Sequence, residues 1–137
     1  INDLCRLAIK EKEIRLKSDG SPKRDFIHGE DVARAIDSII NIKTPNIENT
    51  IHISSGQTLS ILQLAHKVRS VYKKEYNSDI QILLPDNSIS ESPDIPDNDY
   101  TYTISNHRLN GIGFQQKIDL ESGIKEIFKY LDNKDNG

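Results

Sequence analysis

The stretch that decides the fold is GSPKRDFIH at residues 20–28, followed by DVARAI at residues 31–36. Ser18 to Pro22 is rich in turn-forming residues, so a tight turn leads into a short extended segment over Arg24–His28, which Gly29 stops. Glu30 and Asp31 then suit the first turn of a helix, where negative charge faces the positive end of the dipole. The helix is predicted from apolar residues at steps of three and four: Val32, Ala35, Ile36, Ile39 and Ile40.

On the N-terminal side of this stretch, residues 4–12 have helical spacing and residues 14–17 alternate as a strand does. On the other side, Thr44-Pro45-Asn46 breaks the helix and Thr50–Ile53 predicts a short strand. Ser60 and Gln63 form a capping-box pattern, which predicts a helix start. Its apolar face is Ile61, Leu64, Ala65, Val68 and Val71.

The C-terminal part predicts a strand over residues 80–84 and a polar loop over residues 85–99. Residues 100–104 then read as extended and residues 105–110 as a short helix closed by Gly111. Asp119 caps a last helix, and the tail 132–137 is expected to fray. Its buried stripe is Leu120, Ile124, Ile127, Phe128 and Leu131.

About four helices alternating with four or five short strands predict an α/β chain, and 137 residues with 35 % hydrophobic content fit one domain. A net charge of −3 without a basic stripe argues against nucleic acid as a partner. No apolar run approaches the roughly 20 residues that cross a bilayer. We therefore expect no membrane partner and a cytoplasmic location. Cys5 is expected to be a small packed residue, because no metal ligand stands at a suitable spacing.

The RDFIH block and the helix after it closely resemble the Gly-x-x-x-Arg-Asp-aromatic stretch of the NAD-dependent epimerase/dehydratase family, the extended short-chain dehydrogenases that act on nucleotide sugars. Residues 51–56 resemble its Tyr-Asn-Ile-Gly-x-Gly turn, and residues 58–65 its Ser-Ile-x-Glu-Leu-Ala helix start. Residues 100–109 and 118–124 are similar to its late Tyr-x-x-Asp segment and closing helix. The resemblance implies the nucleotide-sugar-binding C-terminal region over residues 1–131, with the N-terminal Rossmann half missing.

The resemblance also implies the site. Arg24 matches the arginine that contacts the diphosphate, and a planar guanidinium suits two phosphate oxygens. The alternative is a surface arginine paired with Asp25. Arg15 and Lys17 fall where the family strand lays backbone groups against the base, or they are ordinary solvent-facing charges. Asp31 matches a residue that fixes the following helix start, and His28 matches a strand residue.

Two departures concern the phosphate site and its loop. The family carries a second arginine in an Arg-Pro-Gly-Asp pattern, where this chain has Ser92-Pro93-Asp94, and no arginine occurs between Arg69 and Arg108. The phosphate contacts are therefore weaker or rebuilt. Asp94, Asp97 and Asp99 raise the question of Ca²⁺, but the glycine and terminal Glu of a calcium loop are missing, so no metal site is predicted.

The chain shows no Gly-rich dinucleotide turn and no Tyr-x-x-x-Lys, so we predict no cofactor-binding or catalytic residue in it. It also begins with Ile1 and contains no Met, from which we expect an upstream part. In the parent protein, the resemblance implies that NAD or NADP oxidises the sugar, usually at C4, and later returns the hydride. Epimerase, dehydratase, decarboxylase and reductase stay open, as do the nucleotide and the sugar.

Two further roles stay open for the chain itself: a stand-alone nucleotide-sugar-binding module and an oligomerisation module. The resemblance places some strands in the sheet of the cofactor-binding half. We therefore expect an unpaired sheet edge and a homo-oligomer, most simply a dimer.

Overall fold

The computed structural model describes residues 1–42, 50–94 and 102–135. The described residues form five helices and four short strands. In chain order these are α1 (Asn2–Lys10), β1 (Glu13–Arg15), β2 (Lys23–Asp25), α2 (Gly29–Ile40), β3 (Thr58–Ser60), α3 (Ile61–Tyr76), β4 (Gln81–Leu83), α4 (His107–Gly111) and α5 (Leu120–Asp135). The α/β class predicted from the sequence is confirmed, with one helix more than the four expected. None of the described helices is long and apolar enough to cross a bilayer.

The larger hydrophobic core lies between the parallel pair β1–β4 and the helices α1, α3 and α5. Ile14 and Ile82 are directly paired across the two strands, and both are fully buried. From the helices, Tyr72 and Phe128 meet edge to face with ring centroids 5.9 Å apart. The predicted alternation of Ile14, Arg15 and Leu16 is confirmed: the two apolar side chains lie in this core, and Arg15 faces water.

The N-terminus of α3 is fixed by the predicted capping box. Ser60 Oγ accepts from Gln63 N at 3.0 Å, and Gln63 Oε1 accepts from Ser60 N at 2.9 Å. The next two N–H groups are also used, because Ile61 N donates to Pro22 O and Leu62 N donates to Gly20 O, both at 3.0 Å. The predicted turn before β2 is thereby attached to the start of α3. Gly20 has φ +76°, and a Cβ there would lie 2.8 Å from Leu62 Cβ, so glycine is required.

A second sheet pairs β2 with β3 in antiparallel register, with Arg24 opposite Leu59. The sequence pattern did not predict β3, because three residues are too few to show alternation and they read as part of the helix start. Beyond this sheet, a smaller core surrounds Ala35, Leu109 and Phe114. It joins α2 and α4 to residues 50–53 and the 112–114 turn.

Asp31 ties α2 to the segment that leads into α5. Its side chain is fully buried and accepts hydrogen bonds from Lys117 N at 2.9 Å, from Ile118 N at 3.0 Å and from the guanidinium of Arg34. Burial raises the pKa of this carboxyl, but the three donors lower it further than burial raises it, so the pKa lies below its ordinary value. Asp31 is thus structural, as predicted, but it acts over 86 residues of chain rather than only on its own helix start.

Three predictions about elements were wrong. Thr50–Ile53 is not a strand, because its backbone has no ladder partner in the described residues. His28 does not lie in a strand: it is the N-cap of α2, and its Nδ1 accepts from Glu30 N. Helix α5 continues to Asp135, where a frayed tail was expected from residue 132. The predicted helix break at residues 44–46 lies outside the described residues, as does part of the 85–99 loop.

We expect the substitution Asp31→Asn to lower the free energy of unfolding at neutral pH by about 2–4 kcal/mol, because a buried charge-assisted network is broken and an amide N–H₂ faces backbone donors. Urea unfolding followed by circular dichroism measures this loss. The matched control is Asp37→Asn on the exposed side of α2, for which we expect a change within about 0.5 kcal/mol.

The native chain and the variant Asp31→Asn should also differ in how their stability depends on pH. A depressed carboxyl pKa stabilises the folded chain above the unfolded value of about 3.9, and that stabilisation is lost as the pH falls below it toward the folded pKa. The difference in stability between the native chain and Asp31→Asn is therefore expected to shrink below about pH 4. A difference that is independent of pH in this range would contradict a charged Asp31.

Cys5 is completely buried in the larger core, and burial raises its pKa to about 12. Because the thiolate is the reactive form, we expect the folded chain to resist alkylation at pH 8. One thiol per chain should react at once in guanidinium, since the sequence contains one cysteine. Mass spectrometry after a short pulse of iodoacetamide measures both states. Rapid labelling without denaturant would show that Cys5 is accessible.

Candidate functional site

Arg24 lies on β2, and the register of the strand pair shows which way the neighbouring backbone groups point. Ile61 N donates to Pro22 O, so residues 22 and 61 form a hydrogen-bonded pair of the antiparallel ladder. Such pairs alternate, which makes the pair of Lys23 and Ser60 a non-bonded one. The carbonyl of Lys23 therefore points away from β3, toward the edge of β2 that has no strand partner among the described residues.

Two side chains meet at that carbonyl. Arg24 Nη1 donates to Lys23 O at 2.7 Å, and the hydroxyl of Tyr102 donates to the same oxygen at 2.8 Å. Both side chains are exposed, Tyr102 to 49 %. In the described part of the chain Arg24 makes no ion pair, so the predicted alternative of a surface pair with Asp25 is not what the structure shows.

Asp25 instead holds the turn that follows residues 50–53. Its Oδ1 accepts from Ser55 N at 2.8 Å. From the other side Ser54 Oγ donates to Ile104 O, and Asn106 Nδ2 donates to Ser55 O, both at 3.0 Å. Gly56 has φ +76° and touches the Asn106 amide, so the last glycine of the family turn keeps its role. The preceding family glycine is replaced by Ser54, whose buried hydroxyl adds a hydrogen bond.

A polar cleft of about 400 Å³ lies beside this turn. One wall carries Phe26, Gln57 and Leu59, and the other carries the backbone segment that Asp31 holds. Leu59 is the cross-strand partner of Arg24, and paired residues of a sheet project to the same face. The side chain of Arg24 therefore leaves the sheet on the face that borders the cleft. The remaining lining residues are Ser55, Gln116, Lys117, Asp119 and Leu120.

Arg15 and Lys17 belong to the other sheet. The side chain of Arg15 bonds Asn87 Oδ1 at 2.6 Å and Glu13 Oε1 at 3.1 Å, and both basic residues are exposed. Leu16 N donates to Leu83 O, so the backbone groups of Leu16 face β4 and those of Arg15 face the opposite edge of β1, where the described residues place no strand. Lys17 lies in the bend that follows β1. No described contact joins these two residues to Arg24.

The turn after β4 is ordered by its own polar residues. Leu84 N donates to Ser88 O, and Ser90 N donates back to Ile82 O. Ser90 Oγ lies 3.0 Å from His66 Nε2, and burial together with the charge of Arg69 lowers the pKa of His66. In the parts of the loop that are described, no three His, Cys, Asp or Glu side chains come together as metal ligands. Asp97 and Asp99 lie outside the described residues.

The start of α3 is the place where a strand runs directly into a long helix, the arrangement that a dinucleotide site uses. Its first N–H groups donate to Pro22 O, Gly20 O and the Ser60 hydroxyl, which leaves them no hydrogen for a pyrophosphate. No glycine stands in the residues 57–61 that make this junction. The junction therefore does not fit NAD or NADP.

Sequence reasoning missed Tyr102 and Asp25 as parts of this region. Tyr102 stands 78 residues after Arg24, and nothing in local periodicity links the two. Asp25 was considered only as a surface ion-pair partner of Arg24. The resemblance at residues 51–56 could have indicated a role for Asp25, because a turn with a special conformation needs a fixed acceptor for its N–H groups.

Known proteins of one family are similar to this chain. The model of the NAD dependent epimerase/dehydratase family matches residues 1–55. A trifunctional UDP-glucose 4,6-dehydratase/UDP-4-keto-6-deoxy-D-glucose 3,5-epimerase/UDP-4-keto-L-rhamnose-reductase of Arabidopsis thaliana is 23 % identical over 124 residues, which is 90 % of this chain and 17 % of the relative. GDP-L-colitose synthase of Yersinia pseudotuberculosis is 28 % identical over 134 residues, or 92 % of this chain and 37 % of the relative.

Among solved structures, the UDP-glucuronic acid 4-epimerase of Bacillus cereus, crystallised with UDP-glucuronic acid and NAD, superposes with a TM-score of 0.68 at 17 % identity. The match covers 96 % of this chain and 38 % of the epimerase. The chain thus spans between about one sixth and two fifths of the length of these proteins. These matches and the α/β fold support a relation of the chain to the NAD-dependent epimerase/dehydratase family, whose model matches residues 1–55.

Proposed function

We propose that this chain is the nucleotide-sugar-binding portion of an NAD-dependent nucleotide-sugar epimerase or dehydratase. The observation that carries the proposal is Arg24, an exposed guanidinium with no acidic partner in the described residues, which is paired across the strands with Leu59 of the polar cleft. The names of the relatives support the ligand class, because they act on UDP-, dTDP- or GDP-linked sugars.

The guanidinium has the right chemistry for a diphosphate. It carries five N–H donors, and one bond to Lys23 O leaves the others for phosphate oxygens. Its position is fixed by that bond, which lowers the entropy lost on binding. Because the arginine keeps its charge at any accessible pH, the attraction to a diphosphate does not depend on a titration.

We further propose that the base lies along the open edge of β1. The outward backbone groups of Arg15 offer N–H and C=O partners to the edge of a base, and Lys17 follows in the bend after the strand. Their side chains would then be free to vary, as solvent-facing charges do. This assigns to the chain a base contact, a diphosphate contact and a cleft, with the dinucleotide and the catalytic groups supplied by the rest of a longer enzyme.

Two other roles are separable by experiment. A stand-alone binding module would bind nucleotide sugars through Arg24 without a catalytic partner in the cell. An oligomerisation module would bind none, and the substitution of Arg24 would change nothing. The intact mass of the protein from its native cell distinguishes an enzyme portion from a chain of 15.6 kDa.

We expect Arg24→Gln to weaken the binding of a nucleoside-diphosphate sugar about 10- to 100-fold, because a charge-assisted contact of about 1.5–3 kcal/mol is lost. Calorimetric titration with UDP-glucose, dTDP-glucose and GDP-mannose measures the change. The matched control is Arg6→Gln, since Arg6 pairs only with Asp3 on the surface of α1 among the described residues. Equal binding by both variants would remove Arg24 from the site.

We also expect the isolated chain to self-associate. Residues 51–53 make no backbone hydrogen bond in the described part of the chain, and next to them α2 exposes Ile36 to 45 % and Ile40 to 74 %. A segment that has no strand partner in the described part of the chain and lies beside apolar surface favours pairing with another chain.

Sedimentation velocity from micromolar to millimolar concentration tests this expectation. Ile40→Lys should shift the distribution toward the monomer, whereas Ile89→Lys, at an exposed residue in the turn after β4, should not. A single monomer peak at the highest concentration would refute self-association and leave the nucleotide-binding proposal unaffected.

A further inference from the structure

We propose that the hydroxyl of Tyr102 is a second donor to the diphosphate that Arg24 binds. The inference rests on the proposed function of Arg24 and adds the group that takes the place of the missing second arginine. No arginine occurs between Arg69 and Arg108, so a second contact has to come from another kind of side chain.

Geometry places Tyr102 beside Arg24. Because Tyr102 Oη and Arg24 Nη1 bond the same oxygen of Lys23, they are no further apart than the two bond lengths together. Two donors within that limit can both contact oxygens of one diphosphate. The pair stands at the outward edge of β2, since the carbonyl of Lys23 points away from β3. Among the described residues no strand covers this edge, so a ligand can approach both donors there.

The local charge favours an anion there. Lys23 and Arg24 are adjacent cations, and the nearest carboxylate in sequence, Asp25, has its Oδ1 committed to Ser55 N. No described carboxylate bonds Tyr102 or Arg24. The phenol thus adds a neutral donor beside two positive charges, and a hydrogen bond to a charged oxygen is stronger than one to a carbonyl.

The contribution of Tyr102 to affinity depends on the hydrogen bond to Lys23 O that it has to give up when the ligand binds. Arg24 can keep Nη1 on the carbonyl and present its remaining N–H groups to the ligand. Tyr102 has a single hydrogen and has to release Lys23 O in order to donate to phosphate. Its net contribution is therefore smaller than that of Arg24.

The test is Tyr102→Phe, which removes the hydroxyl and keeps the ring. We expect the affinity for UDP-glucose, dTDP-glucose or GDP-mannose, whichever the native chain binds, to fall about five- to tenfold. The matched control Tyr130→Phe, at an exposed tyrosine of α5, should bind as the native chain does. Tyr102→Gln offers an amide donor without a ring, and we expect it to bind more tightly than Tyr102→Phe.

A double-mutant cycle with Arg24→Gln separates a ligand contact from a structural role. If both groups donate to one diphosphate, their effects on affinity are coupled, while the urea midpoint of Tyr102→Phe stays at the native value. If Arg24→Gln weakens binding and Tyr102→Phe does not, the Tyr102 proposal is overturned and the proposed function stands. If the native chain binds none of the three nucleotide sugars, both the Tyr102 proposal and the proposed function are refuted.

Discussion

The buried carboxylate of Asp31 is the interaction on which the rest of the structure depends. It is the only fully buried acidic side chain among the described residues, and it joins two parts of the chain that are 86 residues apart. A charge in that position is tolerated because two backbone N–H groups and a guanidinium surround it, and the two N–H groups would lose this acceptor if the carboxylate were removed. The C-terminal segment is thereby fixed before α5 begins.

The candidate site follows from that attachment. The segment that Asp31 holds forms one wall of the polar cleft, and the β2–β3 pair forms the other. The second wall is fixed in turn by the α3 start, whose N–H groups bind the carbonyls of the turn before β2. Each wall is therefore held by its own backbone contacts, and Arg24 lies on β2 with its Nη1 bonded to Lys23 O.

The proposed function depends on a cleft whose walls are held by the chain's own contacts, and this chain spans 38 % of the Bacillus cereus epimerase. At the α3 start, the N–H groups are used by the fold itself. Among the described residues the outward edges of β1 and β2 have no strand partner, and these are where we place the base and the diphosphate.

The sequence by itself determined the elements whose signals are local. The capping box at Ser60, the stripe of α5 and the alternation around Ile14 were predicted because helix caps and amphipathic faces depend on residues within a few positions. The RDFIH block indicated the resemblance to the family and made Arg24 the candidate diphosphate ligand, because a motif retains its residue order whatever the packing around it.

Tertiary structure alone decided how those elements meet. β3 was not predicted, because three residues are too few to show an alternating pattern. The predicted strand over Thr50–Ile53 was wrong, because a strand needs a pairing partner and the local sequence does not specify one. His28 became a helix cap through a bond to Glu30 N that its neighbours in the motif do not reveal. The meeting of Tyr102 and Arg24 on one carbonyl oxygen depends on the fold bringing together residues 78 positions apart, and no local physical rule encodes such a contact.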